Sequence, residues 1–242
     1  MKYTHNYTTR WHDTDAFRNL RASKILMYLQ ETGNLQCREY GIDLDTLRDE
    51  KGVGFILSSI SVKVNRPIHA FEKISVSTWC REARGYAFSR FFDIKAGDEL
   101  VVQASSLWAL VDVNSKTLVR ASDDMTPHFP YDEPIPASDL PPRARILKTD
   151  MLEKLGDRKI CYSDIDYNNH MNNTNYPDML CDFVPDMSGK FVKEISLLYL
   201  KEAPYGETIA VFGSRDGDTY KFKTQNSAGD TCLEAIMTLG ES

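Results

Sequence analysis

The polar segment at residues 164–180 combines the side chains in this chain that are best suited to chemistry. Asp166, Asn168 and His170 alternate within it, so an extended backbone would point all three to one side. Imidazole titrates near neutral pH, and a neighbouring carboxylate can fix its tautomer for acid–base work. A carboxamide can orient a water or donate to an oxyanion. The pattern predicts an acid–base site, but five asparagines between 168 and 175 could equally serve only to make a turn.

The residues that follow predict the start of a helix beside this site. Asn173 or Thr174 can act as the N-cap, and Pro177 is acceptable only in a helix's first turn. Free N–H groups at a helix start can hold developing negative charge. A second acidic candidate, Glu202, stands at the end of a predicted strand beside Pro204, where it could face a cleft or be an ordinary exposed acid.

Composition limits what the protein can be. With 242 residues and 42% hydrophobic content, the chain can form one large domain or two small ones around a proper core. The net charge of −6 disfavours a nucleic-acid partner. No stretch is long enough to span a bilayer, and residues 1–11 lack the apolar run of a signal peptide, so we expect no membrane insertion and a cytoplasmic protein.

The cysteines and histidines argue against a metal site or a cofactor. The five cysteines are scattered and show no C-x-x-C spacing, which indicates reduced thiols, and the five histidines are equally dispersed. Phosphate-binding glycine loops, dinucleotide-binding motifs and serine hydrolase elbows are absent from the sequence. Cys161 and Cys181 lie near His170 in sequence, so a thiol nucleophile stays open, although Cys181 fits better as a small packed hydrophobe.

Hydrophobic periodicity predicts an α+β fold. A first strand at about 3–10 precedes a helix that Ser23 caps and Gly41 ends, and residues 43–51 form a charged connection. Alternating patterns then predict four strands and a hairpin turn at 95–98. The predicted strands are 55–64, 74–82, 87–94 and 100–112.

A proline-rich segment separates this unit from a second one. Six of the ten prolines fall at about 121–150, which predicts an extended linker and a domain boundary. Beyond it the element order recurs, with a strand at 158–162, the polar segment, a short helix before Pro185 and four more strands. The later strands are predicted at 191–200, 208–213, 219–226 and 231–239.

The residues support an internal repeat. Trp11 to Asp15 aligns with Tyr162 to Asp166, matching an aromatic residue and both aspartates, and residues 59–62 align with 194–197. The position that matches His170 is Asn19, and the one that matches Asn168 is Phe17. We therefore expect the second half to carry catalysis and the first to carry binding.

These motifs resemble those of the fatty acyl–acyl carrier protein thioesterases of plant plastids and bacteria. The sequence Asp166-x-Asn168-x-His170, followed by Met171-Asn172-Asn173-x-x-Tyr176, matches one motif of that family, and Tyr199-x-Lys201-Glu202 matches a second. The resemblance covers nearly the whole chain. It implies a tandem double hotdog fold, with two long helices that are each wrapped by a curved antiparallel sheet. The domains would be an acyl-binding domain at 1–123, a linker at 124–150 and a catalytic domain at 151–242.

The resemblance also implies a reaction. Asp166, Asn168, His170 and Glu202 would be catalytic and would direct water at the thioester of a fatty acyl chain carried on the phosphopantetheine of acyl carrier protein, without cofactor or metal. Many plant relatives have a cysteine directly after the glutamate, whereas this chain has Ala203. Activated water is therefore the natural nucleophile, and which of Glu202 and His170 is the base stays open.

Three further expectations follow from the family's architecture. The acyl tunnel would lie in the first half, with Ile25, Leu26, Leu29, Ile56, Trp79 and Trp108 as candidate walls. The acidic carrier protein would need a local basic surface, for which the candidate is the cluster Arg143, Arg145, Lys148, Lys154, Arg158 and Lys159. An exposed sheet edge could support a homodimer.

Two other functions remain open at this point. One is an acyl-CoA thioesterase of the 4-hydroxybenzoyl-CoA type, although those are usually single hotdog chains. The other is a non-catalytic acyl-binding protein, against which the four retained polar residues argue. A hydratase of the same fold fits least, because its aspartate and histidine spacing differs.

Overall fold

In the part of the chain that the structure describes, ten antiparallel strands form one continuous sheet to which both halves contribute. The computed structural model describes residues 2–81, 83–120, 140–146 and 150–242. Along the sheet the strand order is β1-β3-β4-β5-β2-β7-β10-β9-β8-β6, with strands numbered in chain order. The strands are β1 (Tyr3–Thr8), β2 (Val53–Val64), β3 (Lys73–Cys80), β4 (Ala87–Ala96), β5 (Glu99–Asp112), β6 (Glu153–Lys159), β7 (Lys190–Tyr199), β8 (Thr208–Asp216), β9 (Thr219–Gln225) and β10 (Thr231–Glu241).

The strands form where the sequence alternates between apolar and polar residues. In β9, burial alternates residue by residue, so one face of the strand packs on the core and the other does not. The predicted hairpin at 95–98 is confirmed, since Ala96 pairs with Glu99 across it. Gly97 occupies the turn with a φ of +60°, which glycine adopts without a steric penalty. Of the strand predictions, 158–162 was misplaced, because β6 ends at Lys159 and a 3₁₀ turn follows.

The centre of the sheet joins the two copies of the repeat. β2 pairs with β7 so that Ser61 lies opposite Ser196, and their hydroxyl oxygens are 3.0 Å apart. These are the two serines that the sequence alignment of 59–62 with 194–197 equates. Ile60 pairs with Leu197, and Val62 pairs with Ile195, so the register is symmetric about the serine pair. The halves are therefore related by an approximate two-fold axis at this point.

Within the described residues, three α-helices accompany the sheet. They are α1 (Ala22–Glu39), α2 (Leu44–Asp49) and α3 (Tyr176–Cys181). The buried face of α1 includes Ile25, Leu26 and Leu29, which join the main core. The prediction of a charged connection without a helix at 43–51 was wrong, because this segment contains α2.

The expectation of two long helices holds only for the first half. α1 has 18 residues, whereas α3 has six. A 3₁₀ turn, Asn173–Asn175, occupies the chain just before α3, and Asn172 caps that turn through a hydrogen bond from the backbone N–H of Thr174. Pro185 lies shortly after α3 and disfavours helical conformation in the residue before it. Only residues 176–184 lie between these two features, which leaves room for about two and a half turns of helix, and α3 uses six of these residues.

Most of the predicted linker at 124–150 lies outside the described residues, including Pro127, Pro130, Pro134 and Pro136. The longer of its described parts, 140–146, lies against β7 and β10 near the middle of the sheet. The backbone N–H of Ala144 donates to the Ser196 hydroxyl at 2.8 Å, and Ala144 itself is buried. The domain limits stay a prediction. Among the residues described, no helix is both long enough and apolar enough to cross a membrane.

Candidate active site

A tight turn at residues 166–170 presents the candidate side chains. The Asp166 carboxylate accepts a hydrogen bond from the backbone N–H of Asn168 at 2.8 Å, and the N–H of Asn169 donates to the Asp166 carbonyl at 2.9 Å. Asn169 has a φ of +61°, a conformation that asparagine tolerates better than most residues. The expectation of an extended backbone was wrong, because the curvature of this turn, and not strand alternation, sets the directions of the side chains.

The first half contains the same turn without the imidazole. One Asp15 carboxylate oxygen accepts from the backbone N–H groups of Phe17 and Asn19, each at 2.9 Å, and Arg18 has a φ of +70°. Phe17 is exposed and Asn19 is buried, and neither lines the main cavity. The copy at Asp15 therefore keeps the architecture of the turn and lacks its acid–base group.

A cavity of about 870 Å³ brings the predicted site residues together. Asp166, Asn168, His170 and Glu202 all line it, although Glu202 lies on a separate segment that follows β7. Its remaining walls come from both halves, and the first half supplies most of the apolar residues that line it. The apolar side chains from the first half include Leu44, Leu47, Phe55, Ile56, Leu57, Phe88, Phe92, Trp108, Val111 and Val113.

The expected walls of an acyl tunnel are only partly confirmed. Ile56 and Trp108 line the cavity. The α1 residues Ile25, Leu26 and Leu29 pack in the core, and Trp79 is buried without reaching the cavity. Apolar residues at helical spacing reveal which face of α1 is buried, but they do not distinguish a packed core from a wall.

His170 and Glu202 lie close together in the lining of the cavity. The distance between His170 Nε2 and Glu202 Oε1 is 3.8 Å, with the imidazole largely buried and the carboxylate half exposed. His170 Nδ1 lies 3.3 Å from the carbonyl oxygen of Met171. A carbonyl can only accept, so this contact favours the tautomer with the proton on Nδ1. The Nε2 lone pair is then directed to the side where Glu202 lies, as a base requires.

Two cations from the first half contact the candidate residues of the second. Arg48 of α2 donates from an NH1 group to Asn168 Oδ1 at 3.0 Å. Lys116, which follows β5, donates to Glu202 Oε1 at 3.2 Å, with both side chains exposed. Sequence analysis missed Arg48 and Lys116, because each lies far along the chain from its partner and occurs in no motif.

The cysteines are poorly placed for nucleophilic catalysis. Neither Cys161 nor Cys181 lines the cavity, and burial raises the pKa of the Cys181 thiol to about 12. Cys37 and Cys80 do line the cavity, but burial raises the pKa of both thiols, which keeps them protonated. Ala203 occupies the position directly after Glu202 and is buried. Among the described residues, no group of three histidine, cysteine or carboxylate side chains is arranged to hold a metal ion.

Comparison with known proteins identifies the family. The pattern of the acyl-ACP thioesterase N-terminal domain matches residues 1–129, and that of the acyl-ACP thioesterase C-terminal domain matches residues 150–239. These two segments include most of the chain and leave out only residues 130–149 and 240–242. The chain belongs to the acyl–acyl carrier protein thioesterase family, and the resemblance seen in its motifs is confirmed.

Individual relatives support the same assignment. A chloroplastic acyl-[acyl-carrier-protein] hydrolase of Cuphea viscosissima is 24% identical over 198 residues, which cover 75% of this chain and 46% of that protein. The chain thus spans about half the length of that curated relative. A crystal structure of an acyl-ACP thioesterase from Bacteroides thetaiotaomicron superimposes with a TM-score of 0.87 at 19% identity, covering 99% of this chain and 98% of the other. A 12:0-ACP thioesterase from Umbellularia californica gives 0.84 at 14% identity, covering 100% and 98%. The tandem double hotdog fold is thereby confirmed.

Proposed function

We propose that this protein hydrolyses the thioester of fatty acyl–acyl carrier protein and releases a free fatty acid, thereby ending elongation of the acyl chain. The observation that carries the proposal is the convergence of Asp166, Asn168, His170 and Glu202 on one large cavity. These residues come from two separate segments of the second half. Their convergence is what a hydrolytic site requires and what a simple asparagine-rich turn does not explain.

The chemistry that we propose uses water as the nucleophile. Glu202 or His170 removes a proton from water, whose oxygen forms a bond to the thioester carbonyl carbon. The carbon–sulfur bond then breaks, and the proton passes to the departing phosphopantetheine thiolate. Because a thiol has a pKa of about 8.5, its thiolate leaves without strong acid catalysis. The Asn168 side chain would donate to the oxyanion, and Asp166 would hold the turn that presents Asn168 and His170.

The cavity supports a division of labour between the halves. We propose that the apolar walls from the first half, within residues 1–123, hold the acyl chain, while residues 151–242 supply the catalytic groups. The volume of about 870 Å³ falls within the range of small-molecule sites, roughly 300–1,000 Å³. Many apolar lining residues from the first half, together with the four candidate catalytic groups of the second half, match a substrate with a long hydrocarbon tail and a polar reacting end.

The surface that receives the carrier protein stays a hypothesis. In the candidate basic cluster, Arg158 is paired with Asp164 at 2.7 Å and Lys154 with Asp157 at 2.8 Å. Arg143, Arg145 and Lys159 are exposed, and Lys148 lies outside the described residues. We propose that the exposed members attract the acidic carrier, since the net charge of this protein would otherwise repel it.

Two broader expectations belong to the same proposal. All five cysteines are unpaired, which agrees with a reducing compartment such as the cytoplasm. A homodimer would use a free edge of the sheet, and β1 and β6 are the two terminal strands.

Release of free thiol from acyl–acyl carrier proteins of graded chain length tests the function. We expect turnover by the wild-type protein and a fall in kcat of about 100-fold or more in both His170→Ala and Glu202→Ala, because each removes an acid–base group. Cys161→Ala, a matched change outside the cavity, should retain full activity. The same acyl chains on CoA, assayed in parallel, distinguish a carrier-protein enzyme from an acyl-CoA thioesterase.

Two results would contradict the proposal. Full activity in His170→Ala would remove the imidazole from the mechanism. A folded wild-type protein that binds acyl chains tightly without releasing thiol from either carrier would instead be a non-catalytic acyl-binding protein.

A further inference from the structure

Arg48 links the first half of the chain to the candidate oxyanion donor of the second. Its guanidinium donates to Asn168 Oδ1 at 3.0 Å, although 120 positions separate the two residues. The same guanidinium lies over the ring of Tyr167, with its central carbon 5.0 Å from the ring centroid. Arg48 therefore contacts two successive side chains of the turn that holds Asn168.

The chemistry of arginine decides which way the Asn168 carboxamide faces. A guanidinium has five N–H donors and no acceptor, so it can bond the carboxamide oxygen but not the nitrogen. The Arg48 contact thus occupies Oδ1 and leaves the Nδ2 group as the free donor of the side chain. Nδ2 makes no hydrogen bond to any other described residue, and Asn168 lines the cavity.

Arg48 is itself held by the structure of α2. The Asp43 side chain caps this helix, accepting from the backbone N–H of Asp45 at 3.0 Å and from the Thr46 hydroxyl at 3.0 Å. Leu47, the residue before Arg48, is buried in a small apolar cluster with Cys37, Ile42, Val53 and Leu110. The backbone that carries Arg48 is thereby anchored to the first half.

We propose that Arg48 is a positioning residue for thioester hydrolysis, which holds the Asn168 carboxamide so that Nδ2 points at the thioester oxygen. The inference rests on the proposed function. It gives the first half a part in the reaction beyond binding the acyl chain, because α2 orients a group that meets the reacting atoms. Asn168 without Arg48 can rotate, and it then presents its oxygen to the oxyanion in some of its conformations.

A double-mutant cycle on kcat tests this role. We expect Arg48→Met to lower kcat about 10- to 100-fold with little change in KM, since loss of one oxyanion donor costs about 100- to 1,000-fold. Asn168→Ala should lower kcat at least as much. The double variant should be no slower than Asn168→Ala, because Arg48 acts only through Asn168.

Two further variants test whether a conservative replacement rescues activity and whether loss of an unrelated arginine has any effect. Arg48→Lys keeps a donor and the charge, so it should recover part of the lost kcat. Arg38→Met removes an exposed arginine of α1 that does not line the cavity, and it should behave as wild type. Thermal unfolding of each variant identifies any change that arises from lost structure.

The outcomes distinguish this inference from the proposed function. Turnover by the wild-type protein, with losses from Arg48→Met and Asn168→Ala that multiply in the double variant, would overturn the positioning role alone. A raised KM with unchanged kcat in Arg48→Met would also overturn it and would make Arg48 a substrate-binding residue. Absence of wild-type turnover on every thioester would overturn the proposed function, and the positioning role with it.

Discussion

In the turn at residues 166–170, some side chains maintain the backbone conformation and others face the cavity. Asp166 accepts a backbone hydrogen bond and Asn169 adopts the positive φ, so these two residues maintain the conformation. Asn168 and His170 are left to face the cavity. The two interpretations of the asparagine-rich segment, a turn and a proposed reactive site, are therefore compatible, since the residues that maintain the turn differ from those that we propose react.

Asp13 is a buried carboxylate whose charge should stabilise the fold. Burial favours its neutral form, but hydrogen bonds from Arg10 and Tyr28 outweigh burial and hold the pKa of the Asp13 carboxyl below its ordinary value. A lowered pKa means that the stabilisation is present above about pH 4 and is lost as pH falls through the folded-state pKa. We expect Asp13→Asn to reduce the free energy of unfolding by about 1–3 kcal/mol at pH 7. Urea denaturation should show this difference shrinking below about pH 4.

Asp182 provides a control, because its pKa is shifted in the opposite direction from that of Asp13. Burial, reinforced by the nearby Asp178 charge and opposed by Arg158, raises the pKa of the Asp182 carboxyl. Its charge therefore destabilises the folded state above that pKa, so Asp182→Asn should stabilise the protein at pH 7 and have little effect in acid. An equal loss of stability in both variants would contradict this account of the two carboxylates.

At the scale of single residues, the sequence anticipated which side chains lie together where spacing within one segment carried the information; their catalytic roles stay predictions. The spacing of Asp166, Asn168 and His170 identified three residues that share a cavity. Arg48 and Lys116 could not be found in this way, because their contacts with Asn168 and Glu202 depend on how the two halves pack. The residues next to Arg48 and Lys116 in the sequence are typical of an ordinary charged surface segment.

At the level of secondary structure, the start of α1 depends on a residue from the other half. Arg21 occupies the N-cap position and makes no capping hydrogen bond with its side chain. Asp178 of α3 instead accepts from the backbone N–H of Ser23 at 3.1 Å and from the Ser23 hydroxyl at 2.6 Å. A carboxylate at this end also complements the helix dipole. Ser23 was predicted to be the cap, but it instead donates both of its hydrogen bonds, from the backbone N–H and from the hydroxyl, to a distant carboxylate.

Removing that carboxylate should weaken the protein through α1. We expect Asp178→Ala to lower the free energy of unfolding by about 0.5–2 kcal/mol, the usual effect of a lost N-cap. Ser23→Ala should cost less, because the backbone donor keeps its partner. Asp182→Ala, on the exposed side just after α3, serves as the matched control in the same denaturation experiment. If Asp178→Ala and Asp182→Ala behaved alike, the capping role would be wrong.

Strands and α1 were predictable because their periodicity is long and regular. α2 was missed, since residues 43–51 contain few apolar positions and only Leu47 is deeply buried. α3 is shorter than the family resemblance implied, because local features on both sides restrict it. Short helices depend on caps and packing more than on periodicity, so sequence patterns predict them poorly.

At the scale of the whole molecule, the two halves meet at the centre of the sheet, where Ala144, Ser196 and Ser61 are linked by successive hydrogen bonds. The backbone N–H of Ala144 donates to the Ser196 hydroxyl, whose own proton is then free to bond Ser61. Ser196 is almost fully buried, and so is Ala144. One hydroxyl thus ties β7, β2 and the connecting segment together.

This arrangement predicts unequal costs for two similar substitutions. Ser196→Ala should reduce the free energy of unfolding by about 1–3 kcal/mol, because it leaves the buried N–H of Ala144 without a hydrogen-bond acceptor. Ser61→Ala should reduce the free energy of unfolding by less, since it removes only the acceptor of the Ser196 hydroxyl proton. Urea unfolding of the two variants measures the difference, and an equal or reversed order would count against the proposed direction of bonding.

The symmetric register about Ser61 and Ser196 has a consequence for how such a protein can evolve. In an assembly of two identical chains, every substitution appears in both copies, so a residue needed on one side is imposed on the other. Joining the copies in one gene lifts that restriction. Phe17 and Asn19 stand where Asn168 and His170 stand in the second copy, and Arg48 contacts the second copy's turn. Covalent fusion thus allows one copy to lose side chains that the other copy keeps, and to acquire residues that support the other copy's site.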